Sequence, residues 1–128
     1  MQATHPITIV DMEAGLEHLS RGTARHVDML LVILEPYYKA LETARRAAEL
    51  GRELGVERIL GVANKIRDDA DATAVREFAR THGIPVAAEV PLDDRIRKAD
   101  LAGQAPIDVP DSPAVAAIAA LAASLMAV

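Results

Sequence analysis

Three short stretches bring together side chains that could do chemistry. The first, Asp11-Met12-Glu13-Ala14-Gly15-Leu16-Glu17-His18, directly follows the β-branched run Ile7–Val10. A carboxylate at the carboxyl end of a parallel strand stands where open α/β sheets bind ligands. In phosphoryl-transfer sites such an Asp holds Mg²⁺, usually through water, and Gly15 lets the following backbone come close to a γ-phosphate. An Asp that merely caps a turn after a strand gives the same pattern. The second stretch is Asn64-Lys65, after the apolar run Ile59–Ala63. The Asn amide offers a donor and an acceptor, which matches a purine edge, and the Lys stem can lie against a base. An ordinary Asn in a strand-to-helix turn is the competing reading. The third, Val90-Pro91-Leu92-Asp93, is a rigid loop that could wall one side of a base; by itself it is turn chemistry.

These stretches need elements to hold them. Four apolar runs read as buried strands: Ile7–Val10, Met29–Leu34, Ile59–Ala63 and Pro85–Val90. Residues Met12–Asp28 are polar and glycine-punctuated. Pro36 opens a helix over Tyr37–Leu54, with Leu41, Ala44, Ala48 and Gly51 as its buried stripe. On its outer face Glu42 and Arg46, and Glu49 and Arg52, are spaced to pair, and Gly55 can cap it. A second helix spans Asp69–His82, with Val75, Phe78, Ala79 and His82 on one face and Asp68, Asp69 and Asp71 favouring its N-terminus. Asp93–Leu101 reads as helix. Ser112 and Pro113 start a last helix, with Val115, Ile118, Ala122 and Leu125 as the inward stripe. Apolar strands alternating with amphipathic helices predict an α/β fold: a mostly parallel sheet of about four strands with helices on both faces. Gly103–Ser112 is an ordered loop within one domain.

Composition narrows the function classes. The chain has 128 residues, a formal net charge of -5 and no cysteine. One domain and one core fit that length. Without a long basic run there is no surface for tracking nucleic-acid phosphates. Disulfides, thiolate metal sites and a Cys nucleophile are excluded within this chain. No apolar stretch has the roughly 18 residues of a transmembrane helix, and the first residues lack the basic-then-apolar pattern of a signal peptide. A cytoplasmic protein is expected. Of the histidines, His18 beside Glu13 and Glu17 could touch a metal or lie in solvent. His82 reads as packed, and the Tyr37-Tyr38 pair as helix-to-sheet packing.

Taken in order, the three stretches resemble one family. Ile7–Asp11 followed by Met12–Thr23 resembles the Walker-B and switch region of the MinD/ParA-type P-loop ATPases. The stretch Glu-Ala-Gly-x-Glu-His-x-x-Arg-Gly, present as Glu13–Gly22, resembles the CooC branch, nickel-insertion ATPases that mature carbon monoxide dehydrogenase. The resemblance continues through Asp28, Glu35-Pro36, Asn64-Lys65, Val90–Asp93 and Ala99–Pro106. It implies that Asp11 is the Walker-B carboxylate for Mg²⁺ (through water) and that Gly15 belongs to the γ-phosphate switch. It further implies that Asn64, with Lys65, contacts adenine, and that Pro91 and Asp93 line the base pocket. GTPases of this class carry Asn-Lys-x-Asp; here Asp68 falls one residue late, which favours ATP over GTP.

No Gly-x-x-x-x-Gly-Lys-[Ser/Thr] occurs in the sequence. That loop supplies the N–H cradle and the Lys that hold the phosphates. The resemblance therefore predicts a single partial domain over residues 1–128, the C-terminal half of a CooC-like ATPase. ATP and Mg²⁺ binding would be weak and hydrolysis absent in this chain alone. Implied partners are a second copy or a P-loop-bearing polypeptide, and a nickel metalloenzyme client. The competing reading is a non-catalytic α/β regulatory or interaction module that kept the scaffold; a fragment of a longer protein is a third.

Overall fold

The computed structural model describes residues 7–12 and 20–127. In chain order the elements are α1 (Arg21–Ala24), β1 (Met29–Leu34), α2 (Tyr38–Glu53), β2 (Arg58–Ile66), α3 (Asp69–Thr81), β3 (Val86–Pro91), α4 (Asp94–Leu101), a 3₁₀ turn (Pro106–Asp108) and α5 (Pro113–Met126). The sheet has three parallel strands in the order β1-β2-β3. The expected first strand is corrected. Ile7–Val10 takes part in no ladder, and its side chains stand in solvent, Ile9 at 88% exposure. The run has the composition of a strand, but a strand persists only where a neighbour accepts its N–H and C=O groups.

Alternation along β1 divides the molecule into layers. Leu30, Val32 and Leu34 face α2 and α3, where they join Ala44, Ala48, Ala63, Val75, Ala79 and Ile84 in the main core. Small residues let the helices approach the sheet closely. A Cβ on Gly51 of α2 would stand 2.8 Å from Leu30 Cδ2; within the sheet, one on Gly61 of β2 would stand 2.7 Å from Leu34 Cδ1 of β1. The opposite face carries a second cluster, in which Ala114 and Leu121 of α5 pack on Val62 and Val90. No β1 residue belongs to it. Leu31 and Ile33 are 38% and 48% exposed there, and the outer edge of β1 has no strand partner among the described residues.

The helix caps follow the sequence, with local differences. Asp68 caps α3, its Oδ1 accepting from Asp71 N at 2.9 Å, with Asp69 and Asp71 in the first turn. Ser112 caps α5, accepting from Val115 N at 3.1 Å. In α2, Arg45 draws in both Glu42 and Glu49, displacing the expected pairs with Arg46 and Arg52. Arg52 instead donates to the carbonyls of His82 and Gly83 at 3.0 and 2.8 Å. The inward stripe of α5 is Ala114, Ala117, Leu121 and Leu125, while Ile118 is exposed. An almost wholly apolar helix has no polar face from which its inner side could be read. Tyr37 and Tyr38 are exposed, not packed, whereas the His82 ring lies 4.4 Å from that of Phe78. Among the described residues no helix is long and apolar enough to cross a membrane.

Candidate functional site

The carboxyl ends of β1, β2 and β3 lie side by side, because the strands are parallel and in sequence order. Each releases one candidate group: Glu35 after β1, Asn64-Lys65 near the end of β2, and Pro91 at the end of β3. The β2–β3 register shifts once between Gly61 and Val62, and again between Ala63↔Glu89 and Ile66↔Pro91. Asn64 and Lys65 occupy that second break. Lys65 has a φ of 56°, a left-handed conformation that a non-glycine residue adopts at a cost of about 1 kcal/mol or more. Its Nζ lies 3.6 Å from Glu35 Oε2, and the Tyr37 hydroxyl donates to the same oxygen. That bond to the carboxylate, with burial second, holds the Tyr37 phenol above its ordinary pKa.

The segment beyond Lys65 is pinned. The Asp71 carboxylate accepts from Arg67 N at 3.0 Å, from Nε at 2.8 Å and from Nη2 at 3.1 Å. These bonds, the guanidinium's first and the backbone N–H's second, hold Asp71 below the usual carboxylate range. Leu92 N donates to Ile66 O at 2.9 Å, tying the third stretch to the second. Asp68, one residue late for the Asp of an Asn-Lys-x-Asp loop, spends an oxygen on capping α3. The amide of half-buried Asn64 takes no part in the bonds that fix Arg67 and Asp68. It stands at the sheet end as a donor and acceptor pair suited to a purine edge.

Asp93 has a different setting. Its Oδ1 accepts from Arg95 N at 3.0 Å, starting α4, and its Oδ2 accepts from the Ser112 hydroxyl. The Ser112 bond is the main reason its carboxyl is held below the ordinary range. Asp93 thus ties the loop after β3 to the start of α5, a link across 19 residues that spacing does not reveal. Asp11 is exposed on the unpaired segment, so the sheet does not hold it at a strand end. Gly15 lies outside the described residues, as do Glu13, Glu17 and His18. Among the described residues no cluster of three or more His, Asp or Glu side chains could hold a metal. Sequence reasoning missed Glu35 and Arg67 as contributors; only the left-handed Lys65 and the Asp71 clamp single them out.

Comparison with known proteins identifies the family and the fold. The carbon monoxide dehydrogenase accessory protein CooC of Rhodospirillum rubrum is 37% identical over 95 residues, which cover 74% of this chain and 35% of that protein. The chain belongs to the CooC-type, MinD/ParA-like P-loop ATPases. An uncharacterised ATP-binding protein of Methanocaldococcus jannaschii is 35% identical over 99 residues, covering 77% of this chain and 38% of its own length. The chain therefore spans well under half of these CooC-type relatives. The fold agrees: the MinD cell division protein of Aquifex aeolicus superposes with a TM-score of 0.74 at 18% identity, over 89% of this chain and 50% of that one. No protein-family model matches the chain.

Proposed function

We propose that this chain is the base-binding part of a CooC-like ATPase, which takes part in metallocentre maturation by nickel insertion into carbon monoxide dehydrogenase. Asn64 reads the adenine edge, the Lys65 stem lies against the ring, and Pro91 and the Asp93-anchored loop wall the pocket. Asp11 holds Mg²⁺ through water and Gly15 serves the γ-phosphate switch, once a P-loop stands beside them. The observation that carries the reading is the convergence of Asn64-Lys65 and Pro91 at adjacent strand ends, with Lys65 in a left-handed conformation. The residues present fit the base but not the phosphates, since the sequence holds no P-loop. Bound Mg-ATP would supply the phosphoryl group; this chain's own residues orient the base. We place the protein in the cytoplasm on the same resemblance.

The chain alone is expected to bind Mg-ATP weakly and not to turn it over. Calorimetry giving micromolar affinity, or steady hydrolysis by a pure preparation, would contradict this. In an assembly that supplies a P-loop, Asp11→Ala abolishes hydrolysis and spares much of the base contact. Asn64→Ala weakens binding and blurs the preference for ATP over GTP; equal loss of both nucleotides would reduce Asn64 to a turn residue.

One observation favours a second reading, a non-catalytic interaction module. The edge of β1, without a strand partner among the described residues, and its exposed Leu31 and Ile33 form an apolar docking strip. A second copy or a P-loop-bearing polypeptide would fit it.

A further inference from the structure

We infer that Glu35 is a positioning residue for base recognition, holding Lys65, and through it Asn64, in the conformation that discriminates adenine from guanine. The inference rests on the nucleotide reading above. Lys65 sits in a left-handed conformation inside a break of the β2–β3 ladder, so the ladder does not hold it there. Strain of this kind persists only where the surroundings over-determine it. Two tethers bracket the dipeptide. Downstream, Asp71 clamps both the backbone and the guanidinium of Arg67. Upstream, the one partner of the Lys65 ammonium among the described residues is Glu35, at 3.6 Å on the neighbouring strand's end.

Glu35 is itself held. The Tyr37 hydroxyl donates to the same oxygen that faces Lys65, and the Glu35 side chain is 22% exposed against 52% for Lys65. The better-buried carboxylate, held by Tyr37, thus anchors the more exposed ammonium, not the reverse. With the ammonium drawn toward β1, the Lys65 stem stays on that side and the neighbouring Asn64 keeps a fixed presentation. Releasing Lys65 lets the dipeptide relax toward commoner backbone angles and turns the Asn64 amide away from one fixed pattern of donor and acceptor.

Nucleosides test this without phosphates, so the missing P-loop does not enter. Amide spectra of the full chain are followed while adenosine or guanosine is added. In the wild type, adenosine is expected to shift Asn64 and Lys65 more than guanosine does. Glu35→Gln keeps an acceptor for Tyr37 but removes the charge. It should shift the nucleoside-free signals of Asn64 and Lys65 and lower the adenosine preference about two- to fivefold, the range of a part-exposed ion pair. The melting temperature should hardly move. Lys65→Met should lose the same preference, and the double variant no more than either single one. Unchanged Asn64 and Lys65 signals in Glu35→Gln, or additive losses in the double variant, overturn the role. Shifted signals in Glu35→Gln with no adenosine response at Asn64 in the wild type refute the nucleotide reading itself, and reduce Glu35 to a turn-holding residue.

Discussion

Substitutions at two adjacent residues of β1 should give opposite results, because alternation sends their side chains to opposite faces. Leu34 is fully buried, its Cδ1 filling the slot left by the missing side chain of Gly61. Leu34→Ala removes the whole transfer contribution and leaves a cavity that the rigid β2 backbone cannot close, so a loss of about 3–4 kcal/mol is expected. Ile33 is 48% exposed on the uncovered face. Its truncation forfeits only about half of the transfer term of three carbons, about 1 kcal/mol, and Ile33→Lys can send its ammonium straight into water. Urea unfolding at several protein concentrations gives the stabilities, and sedimentation velocity gives the association state. Leu34→Ala should lower stability without altering association behaviour in the folded protein. Ile33→Lys should stay within about 1 kcal/mol of wild type when both are dilute, and should abolish any concentration-dependent association or stabilisation. A concentration-independent loss in Ile33→Lys as large as that in Leu34→Ala would show the outer face of β1 to be covered within one chain, and would refute the docking strip.

Two further outcomes follow from the caps and clamps. The folded pKa of Asp71 is depressed by Arg67, so its contribution to stability is present above the ordinary aspartate range of about 4 and is lost as pH falls through the folded value. Asp71→Asn should lower stability at neutral pH and flatten the acid limb of a stability-against-pH curve; an acid limb as steep as wild type would remove Asp71 from that role. Ser112→Ala deletes the cap of α5 and the hydroxyl that donates to Asp93. A loss of about 1–2 kcal/mol by chemical denaturation is expected, and Ser112→Thr, which keeps the hydroxyl, should recover most of it.

Much of the fold was legible because its signals are local. Met29–Leu34 is a strand with the bounds that its apolar run predicts, and the acidic residues around Asp68 do start α3. The apolar run Ile59–Ala63 marks the body of β2, but the strand continues through Asn64-Lys65 to Ile66, and Pro91 is the last residue of β3. What the tertiary structure decided was non-local. The β-branched run Ile7–Val10 and the apolar run Met29–Leu34 both have strand composition, yet among the described residues only the second finds a partner to accept its backbone groups, in β2. The inward face of α5 was set by where Val62 and Val90 lie, since an all-apolar helix carries no contrast of its own. The Asp93–Ser112 bond and the Glu35–Lys65 pair join residues brought together by the parallel order of the strands and the return of α5. Composition sets what each segment prefers, but pairing, burial and the left-handed turn at Lys65 depend on neighbours distant in the chain, and only packing supplies those.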